Sequence, residues 1–183
     1  MDNKNIDLTA EMKLAEQARD GSKEAFCKLY GQYKDKLYRY ALYRLGSPED
    51  AEDAISECVL AAWQGLPRLK NAGAFGAWIF RILHRCCARR ISESVNLREN
   101  AQRIFSEGPG SSGSSVQSWQ NASVSLELRE ALSQLGEDER EIVLLSVLGG
   151  LTSREISEIT SLTPGAVRSK LSRSLARMRE FLS

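Results

Sequence analysis

The C-terminal part of the chain contains two helix starts, at Thr152 and Thr163, that leave room for only a tight turn between them. Thr152-Ser-Arg-Glu155 has the spacing of a capping box, in which the threonine hydroxyl and the glutamate three residues later satisfy free amides at the helix start. Thr163 precedes Pro164, whose fixed φ suits the first position of a helix. This spacing predicts a helix-turn-helix.

The second of these helices has an apolar side and a basic side. Four residues at helical spacing are predicted to pack inward: Val167, Leu171, Leu175 and Met178. The opposite, outer face carries Arg168, Ser169, Ser172, Arg173 and Arg177. No acidic residue occurs between Pro164 and Arg179, so the face suits the major groove of duplex DNA. The alternative is a solvated basic helix that closes a helical bundle.

A polar stretch from 92 to 125 divides the 183 residues into two domains. It contains the run Gly108-Pro-Gly-Ser-Ser-Gly-Ser-Ser115, which is typical of a flexible linker. A coil of this length reaches roughly 30 Å, enough to seat two domains on separate surfaces. An introduced spacer is the alternative origin of the glycine and serine run. The sequence therefore predicts an all-α protein with helical domains at 8–91 and 126–183, joined by a flexible linker.

The net charge of +1 hides a strong local separation of charge. The predicted helix from Pro48 to Trp63 carries five acidic residues and no basic one: Glu49, Asp50, Glu52, Asp53 and Glu57. The stretch from Phe75 to Ile91 has four arginines and no acid: Arg81, Arg85, Arg89 and Arg90. These surfaces suit different partners.

Aromatic residues alternate with arginines in the helix that begins at Phe75. Aromatic rings can stack on unpaired bases while arginines contact phosphates, which indicates a single-strand surface. The alternative is that Phe75, Trp78 and Ile82 are core residues at helical spacing.

The sequence has no features typical of an enzyme or of a membrane protein. We find no phosphate-binding glycine loop, nucleophile-base pair or metal-ligand cluster, so we expect no enzyme activity, no cofactor and no metal. The four cysteines do not occur in CxxC pairs, and we expect them to be reduced thiols that pack as small apolar side chains. The alternative is a metal or redox site formed by His84 with Cys86 and Cys87. Without a signal-peptide pattern or an apolar run of roughly 20 residues, we expect a cytoplasmic protein that does not insert into membranes.

Five short motifs in a fixed order resemble the extracytoplasmic-function group of bacterial sigma factors. They are Gly21-Ser-Lys-Glu-Ala-Phe26, Ser47 to Glu57, Ala62-Trp63, Phe75-x-x-Trp78-Ile-Phe-Arg81-Ile82, and Glu155 to Ile159 with Gly165 to Arg173. The resemblance spans nearly the whole chain. It implies two helical domains, regions 2 and 4, with partners in core RNA polymerase, promoter DNA and an anti-sigma factor.

The resemblance also implies a role for particular residues. The positions that dock on core polymerase in the family are Asp53, Ser56 and Glu57, with Ser56 in place of a common glutamine. The positions that capture a flipped, single-stranded base of the minus-10 element are Leu69, Lys70, Asn71, Ala72, Gly73, Ala74 and Arg85. Four residues of the last helix match those that read the duplex minus-35 element: Arg168, Ser169, Ser172 and Arg173. Arg177 is assigned to the same DNA-binding face. Arg85 replaces a common asparagine, and Ser161 replaces a common glycine.

Two other functions remain open at this point. The first is a conventional helix-turn-helix regulator whose N-terminal half is a sensor domain. The second is a helical adaptor that binds only proteins, which the acid-free run from Pro164 to Arg179 disfavours. A sensor domain does not require an acidic helix followed by a helix rich in aromatic residues and arginine. The sigma factor is therefore the preferred hypothesis.

Overall fold

A computed structural model of the protein describes residues 3–104 and 126–182, with side chains at 9–97 and 127–182. The described elements are α1 (Asn3–Arg19), α2 (Lys23–Leu45), α3 (Pro48–Gly65), α4 (Phe75–Ile104), α5 (Leu126–Ser133), α6 (Glu137–Val147), α7 (Ser153–Thr160) and α8 (Pro164–Leu182). Two short 3₁₀ turns, Leu66–Arg68 and Ala72–Ala74, connect α3 to α4. The all-α prediction is confirmed. Within the described part of the chain, no helix is both long enough and apolar enough to cross a membrane.

Local capping chemistry sets the helix ends of the first domain. The Ser22 hydroxyl accepts a hydrogen bond from the Ala25 amide at 3.2 Å and so caps α2. Gly46 ends that helix with φ at 75°, a left-handed conformation that glycine adopts without steric cost. Ser47 then caps α3, and Pro48 occupies its first turn.

The first domain is built around α2, which contacts α1, α3 and α4. Its buried side chains include Leu29, Leu37 and Tyr40, all fully excluded from solvent. The Tyr40 ring meets Phe80 of α4 edge-on at 5.7 Å between centroids. Burial of each such side chain contributes about 1.5–3 kcal/mol to folding.

The last helix of this domain continues into the predicted linker. Residues 92–104 are helical in α4 although the polar composition predicts a flexible segment from 92 onward. No glycine or proline occurs there to break the helix, and the side chains from Ser92 to Leu97 are exposed. The run Gly108 to Ser115 lies outside the described residues.

The second domain packs α5, α6 and α7 against α8. The predicted capping box is present: the Glu155 amide donates to the Thr152 hydroxyl at 3.3 Å, and the Thr152 amide donates to the Glu155 carboxylate at 2.8 Å. The Ala166 amide donates to the Thr163 hydroxyl at 3.2 Å, which caps α8 as expected. The helix-turn-helix is therefore confirmed as α7 and α8.

One predicted core position in α8 is wrong. Leu175 was expected to face inward, but it is 37% exposed, and Ser174 is fully buried in its place. Ser174 is two helical turns beyond the buried Val167, whereas Leu175 is rotated by a further ~100°. The inner face of α8 thus runs through a serine.

This buried serine leads to a stability prediction. The Ser174 hydroxyl has no hydrogen-bond partner among the described residues, so its burial carries an uncompensated desolvation cost. We expect Ser174→Ala to raise the free energy of unfolding by about 1 kcal/mol in urea titration. Ser172→Ala, on the exposed face of the same helix, should change it by less than about 0.5 kcal/mol. Destabilisation by Ser174→Ala would mean that the hydroxyl is satisfied.

Candidate polymerase and nucleic-acid interfaces

The predicted polymerase-docking residues lie on one side of α3. Asp53 and Ser56 are exposed, and Glu57 is half-buried. The Ser56 hydroxyl donates to the backbone carbonyl of Glu52 at 2.9 Å, so it is already engaged within its own helix. The two carboxylates are therefore the groups on this face with the largest charge to offer a basic partner.

Two arginines of α4, which the sequence analysis did not assign to this face, pair with the same carboxylates. Arg90 contacts Asp53 at 3.2 Å and Glu57 at 3.0 Å, and Arg89 also donates to Glu57. Burial alone would lower the pKa of Arg90, but hydrogen bonding to Glu57 and the nearby carboxylates raise it above its ordinary value. Arg90 thus fixes the acidic side chains in place. The available sequence signal was the acid-free stretch from Phe75 to Ile91.

The predicted base-capture segment divides into buried and exposed residues. Leu69 and Ala72 are each 6% exposed and pack in the core, so in this conformation their side chains cannot line a base pocket. Lys70, Asn71 and Gly73 are exposed, and Ala74 is half-buried. The buried pair anchors the segment because apolar side chains pack inward wherever the backbone allows it.

Asn71 has a structural role within this segment. Its side-chain oxygen accepts a hydrogen bond from the Gly73 amide at 3.0 Å and caps the second 3₁₀ turn. This bond leaves the Asn71 amide nitrogen as a donor, and the Lys70 ammonium group lies on the preceding residue. The exposed part of the segment can therefore donate hydrogen bonds to a base edge.

Arg85 and the aromatic residues of α4 differ in accessibility. Arg85 is exposed, but it lies roughly 15 Å along the helix axis from Phe75, where the capture segment ends. Phe75 is fully buried, with Tyr33 at 5.6 Å and Trp78 at 5.7 Å between ring centroids. For Phe75 the core interpretation is correct, because a buried ring cannot stack on a base. Trp78 and Ile82 are half-buried.

The predicted DNA-reading residues of α8 share one exposed face. Arg168, Ser169, Ser172, Arg173 and Arg177 are all exposed. The Arg173 Nε donates to the carbonyl of Ser169 at 3.2 Å, one turn earlier. Arg177 donates to both carboxylate oxygens of Glu139 at 2.9 Å, so it ties α8 to α6 in this structure.

The turn of the helix-turn-helix depends on Ser161. Its φ is 59°, and it is the one non-glycine residue in the described part of the chain with positive φ. A side chain in this left-handed conformation costs roughly 1–2 kcal/mol, which glycine avoids. The turn therefore forms with serine, as expected from its small size, but under strain.

Substitutions at this turn should have opposite effects on stability. We expect Ser161→Val to lower the free energy of unfolding by about 1–2 kcal/mol, because β-branched residues are disfavoured at positive φ. Ser161→Gly should leave it unchanged or raise it by up to about 1 kcal/mol, since relief of strain exceeds the entropy gained by the unfolded chain. Ser157→Val in α7 is the matched control and should have a small effect in the same urea titration. Equal losses for valine at both positions would contradict this account.

Comparisons with known proteins identify the family of both domains. Residues 29–94 match the family model for sigma-70 region 2, and residues 125–178 match the model for sigma-70 region 4. The extracytoplasmic-function sigma factor BldN of Streptomyces coelicolor is 32% identical over 180 residues, covering 94% of this chain and 67% of that protein. The chain belongs to the extracytoplasmic-function group of the sigma-70 family. The sigma factor SigW of Bacillus subtilis is 26% identical, with 93% of this chain and 95% of that protein covered.

A solved sigma factor structure has the same fold. RpoE from Bartonella quintana, in complex with the anti-sigma factor NepR, superposes with a TM-score of 0.68 at 22% identity. The match covers 86% of this chain and 96% of RpoE. The region 2 match includes α3 and the predicted base-capture segment, and the region 4 match includes most of α8.

Three of the four cysteines of this sigma factor are buried in the helical core. Cys58, Cys86 and Cys87 are buried, and Cys27 is exposed. Burial raises the pKa of all three buried thiols, that of Cys87 to about 12. They are therefore protonated at neutral pH, which is the weakly nucleophilic state of a thiol.

Proposed function

We propose that this chain is a sigma factor that binds core RNA polymerase and directs initiation at promoters with its own minus-10 and minus-35 elements. The main support for this proposal is that regions 2 and 4 occur in one chain, in the family's order, over most of its length. It would act in the cytoplasm, where RNA polymerase and the chromosome lie. The rival interpretations, a sensor-linked regulator and an adaptor, leave the region 2 match without a role.

Each surface fits one step of initiation. Asp53 and Glu57 offer carboxylates to a basic face of polymerase, with Ser56 between them. Lys70, Asn71 and Arg85 offer donors to an extruded base and its flanking phosphates. The exposed face of α8 fits a major groove, where arginine pairs with guanine edges.

We propose that the chain is not an enzyme and that strand separation follows from binding energy. Extrusion of a base costs a few kcal/mol, which contacts to the displaced strand can offset within the polymerase complex. RpoE of Bartonella quintana was crystallised with an anti-sigma factor. By analogy we propose that an anti-sigma factor also binds this chain and blocks its access to polymerase.

Run-off transcription with purified core polymerase tests the function. Core enzyme plus the full chain should produce transcripts from a distinct set of promoters in a fragmented genomic library, whereas core alone should not. The rival regulator would bind duplex DNA without polymerase and give no new transcripts. Absence of chain-dependent transcripts, with the chain folded by circular dichroism, would reject the proposal.

A substitution at Arg85 tests the minus-10 assignment. The guanidinium offers five donors and favours acceptor-rich base edges, unlike the asparagine common in the family. We expect Arg85→Asn to change which minus-10 variants are transcribed from a randomised library while core binding stays within about twofold. Arg39→Asn, an exposed arginine on α2, is the charge-matched control. Identical base preferences for Arg85→Asn and wild type would exclude Arg85 from the pocket.

A further inference from the structure

Glu141 of α6 is a buried carboxylate whose ion pairs, among the described residues, are with side chains of region 2. The residue is 7% exposed. Its Oε2 lies 3.2 Å from a guanidinium nitrogen of Arg44 at the end of α2, and its Oε1 lies 2.6 Å from His84 Nδ1 on α4. The hydroxyl of Tyr40 lies 3.3 Å from the same His84 nitrogen. Two side chains of region 2 thus contact one carboxylate of region 4, and Tyr40 lies beside one of them.

Two further ion pairs extend this contact. Arg44 lies 3.7 Å from Glu137, one turn before Glu141 on α6. Arg81 of α4 lies 2.5 Å from Glu158 of α7, the first helix of the helix-turn-helix. We call Arg44, His84 and Arg81 the basic socket. Each member faces a glutamate of region 4, so the two surfaces are complementary in charge.

The burial of this contact makes it more than a chance surface pairing. The side chain of Arg44 is 7% exposed and that of Glu141 is 9% exposed. A buried charge is costly unless an opposite charge compensates for it, whereas an exposed ion pair contributes little. Arg44 therefore requires an acidic partner whenever region 4 covers it, and Glu141 supplies that partner.

We infer that the basic socket is a docking surface for Glu141 of the same chain, and that this contact holds free sigma factor in a closed form. The inference rests on the proposed function. Minus-10 and minus-35 elements are separated by about 25 base pairs, or roughly 85 Å of duplex. Two domains of this size in direct contact, each roughly 30 Å across, cannot read both elements. Glu141 must therefore leave the socket before the promoter is bound.

Small-angle scattering of the full chain without polymerase tests the inference. The wild-type chain should have a radius of gyration of about 16 Å, the value for a compact chain of this length. Glu141→Gln keeps the shape but removes the charge, and it should raise the radius above roughly 20 Å as the domains separate on their linker. Glu130→Gln, an exposed glutamate on α5, is the matched control and should stay compact. An extended wild type, or a Glu141→Gln variant as compact as wild type, would overturn the inference.

A second variant tests the same contact if Glu141→Gln does not fold. If Glu141→Gln loses helical circular dichroism, the exposed pair Arg81 and Glu158 can be neutralised to glutamine, with a smaller rise in radius expected. A compact double variant would then count against the socket. Run-off transcription distinguishes failure of the socket from failure of the proposed function. If Glu141→Gln increases the radius of gyration but the wild-type chain supports no transcription, only the proposed function is rejected. Normal transcription with an unchanged radius rejects only the socket.

Discussion

Reversal of Asp53 and Glu57 to lysine is expected to weaken binding to core polymerase by at least about 100-fold. The two carboxylates are the main acidic groups on the predicted docking side of α3, and each charge-assisted contact is worth about 1.5–3 kcal/mol. Loss of two such contacts corresponds to about 3 kcal/mol or more, and each 1.4 kcal/mol is tenfold in affinity. Fluorescence anisotropy of labelled chain titrated with core enzyme measures the change.

The pairing of these carboxylates with Arg89 and Arg90 calls for two controls. Lysines at 53 and 57 would also repel α4, so Asp53→Asn with Glu57→Gln is needed as a variant that removes charge without adding repulsion. It should weaken binding in the same direction. Glu16→Lys with Glu127→Lys makes the same change of net charge on exposed positions elsewhere and should bind normally. Wild-type affinity in both α3 variants would remove this face from the docking surface.

Helix boundaries were predictable because capping is a local interaction. Ser22, Ser47 and Thr152 each bond an amide three residues ahead, so the sequence alone contains both partners. Gly46 ends α2 for an equally local reason, since the left-handed region favours glycine. The position of the helix-turn-helix followed from signals of this kind at Thr152 and Thr163.

Details of packing were less predictable because they depend on neighbours distant in sequence. Leu175 fits the apolar spacing as well as Leu171 does, and only the positions of α5 and α6 against α8 place Ser174 inside. Leu69 and Ala72 match a family segment, but the sequence does not show that they face the core. Helical periodicity locates an apolar face to within about one residue, which is too coarse to decide such positions.

Ion pairs between helices were missed for a similar reason. Glu57 and Arg89 are far apart in sequence, and Arg44 and Glu141 lie in different domains. Charge composition indicated an acidic α3 and a basic α4, but it could not show that these helices neutralise each other. The availability of a charged face thus depends on tertiary structure. The proposed docking on polymerase would require Asp53 and Glu57 to give up their ion pairs with Arg89 and Arg90.

Substitutions in α8 should separate base reading from phosphate binding in the minus-35 complex. Arg168 lies one turn from Ser172, and Ser169 lies one turn from Arg173, so all four can reach adjacent base edges. We expect Arg168→Ala or Arg173→Ala to cost about 1–3 kcal/mol and to relax preference at particular positions of a randomised minus-35 library. Arg177→Ala should instead weaken binding nearly uniformly and reduce the salt slope by about one unit.

The bond between Arg177 and Glu139 provides a control for this contrast. Removal of Arg177 also breaks an intradomain ion pair, whose Glu139 carboxylate has its pKa lowered by the Gly136 amide and by Arg177 itself. Glu139→Gln breaks the same pair but keeps Arg177 for DNA, so it should affect stability and leave the salt slope unchanged. If Arg168→Ala, Arg173→Ala and Arg177→Ala all gave the same sequence-independent loss, α8 would bind only phosphates. Base reading would then belong to another element of region 4.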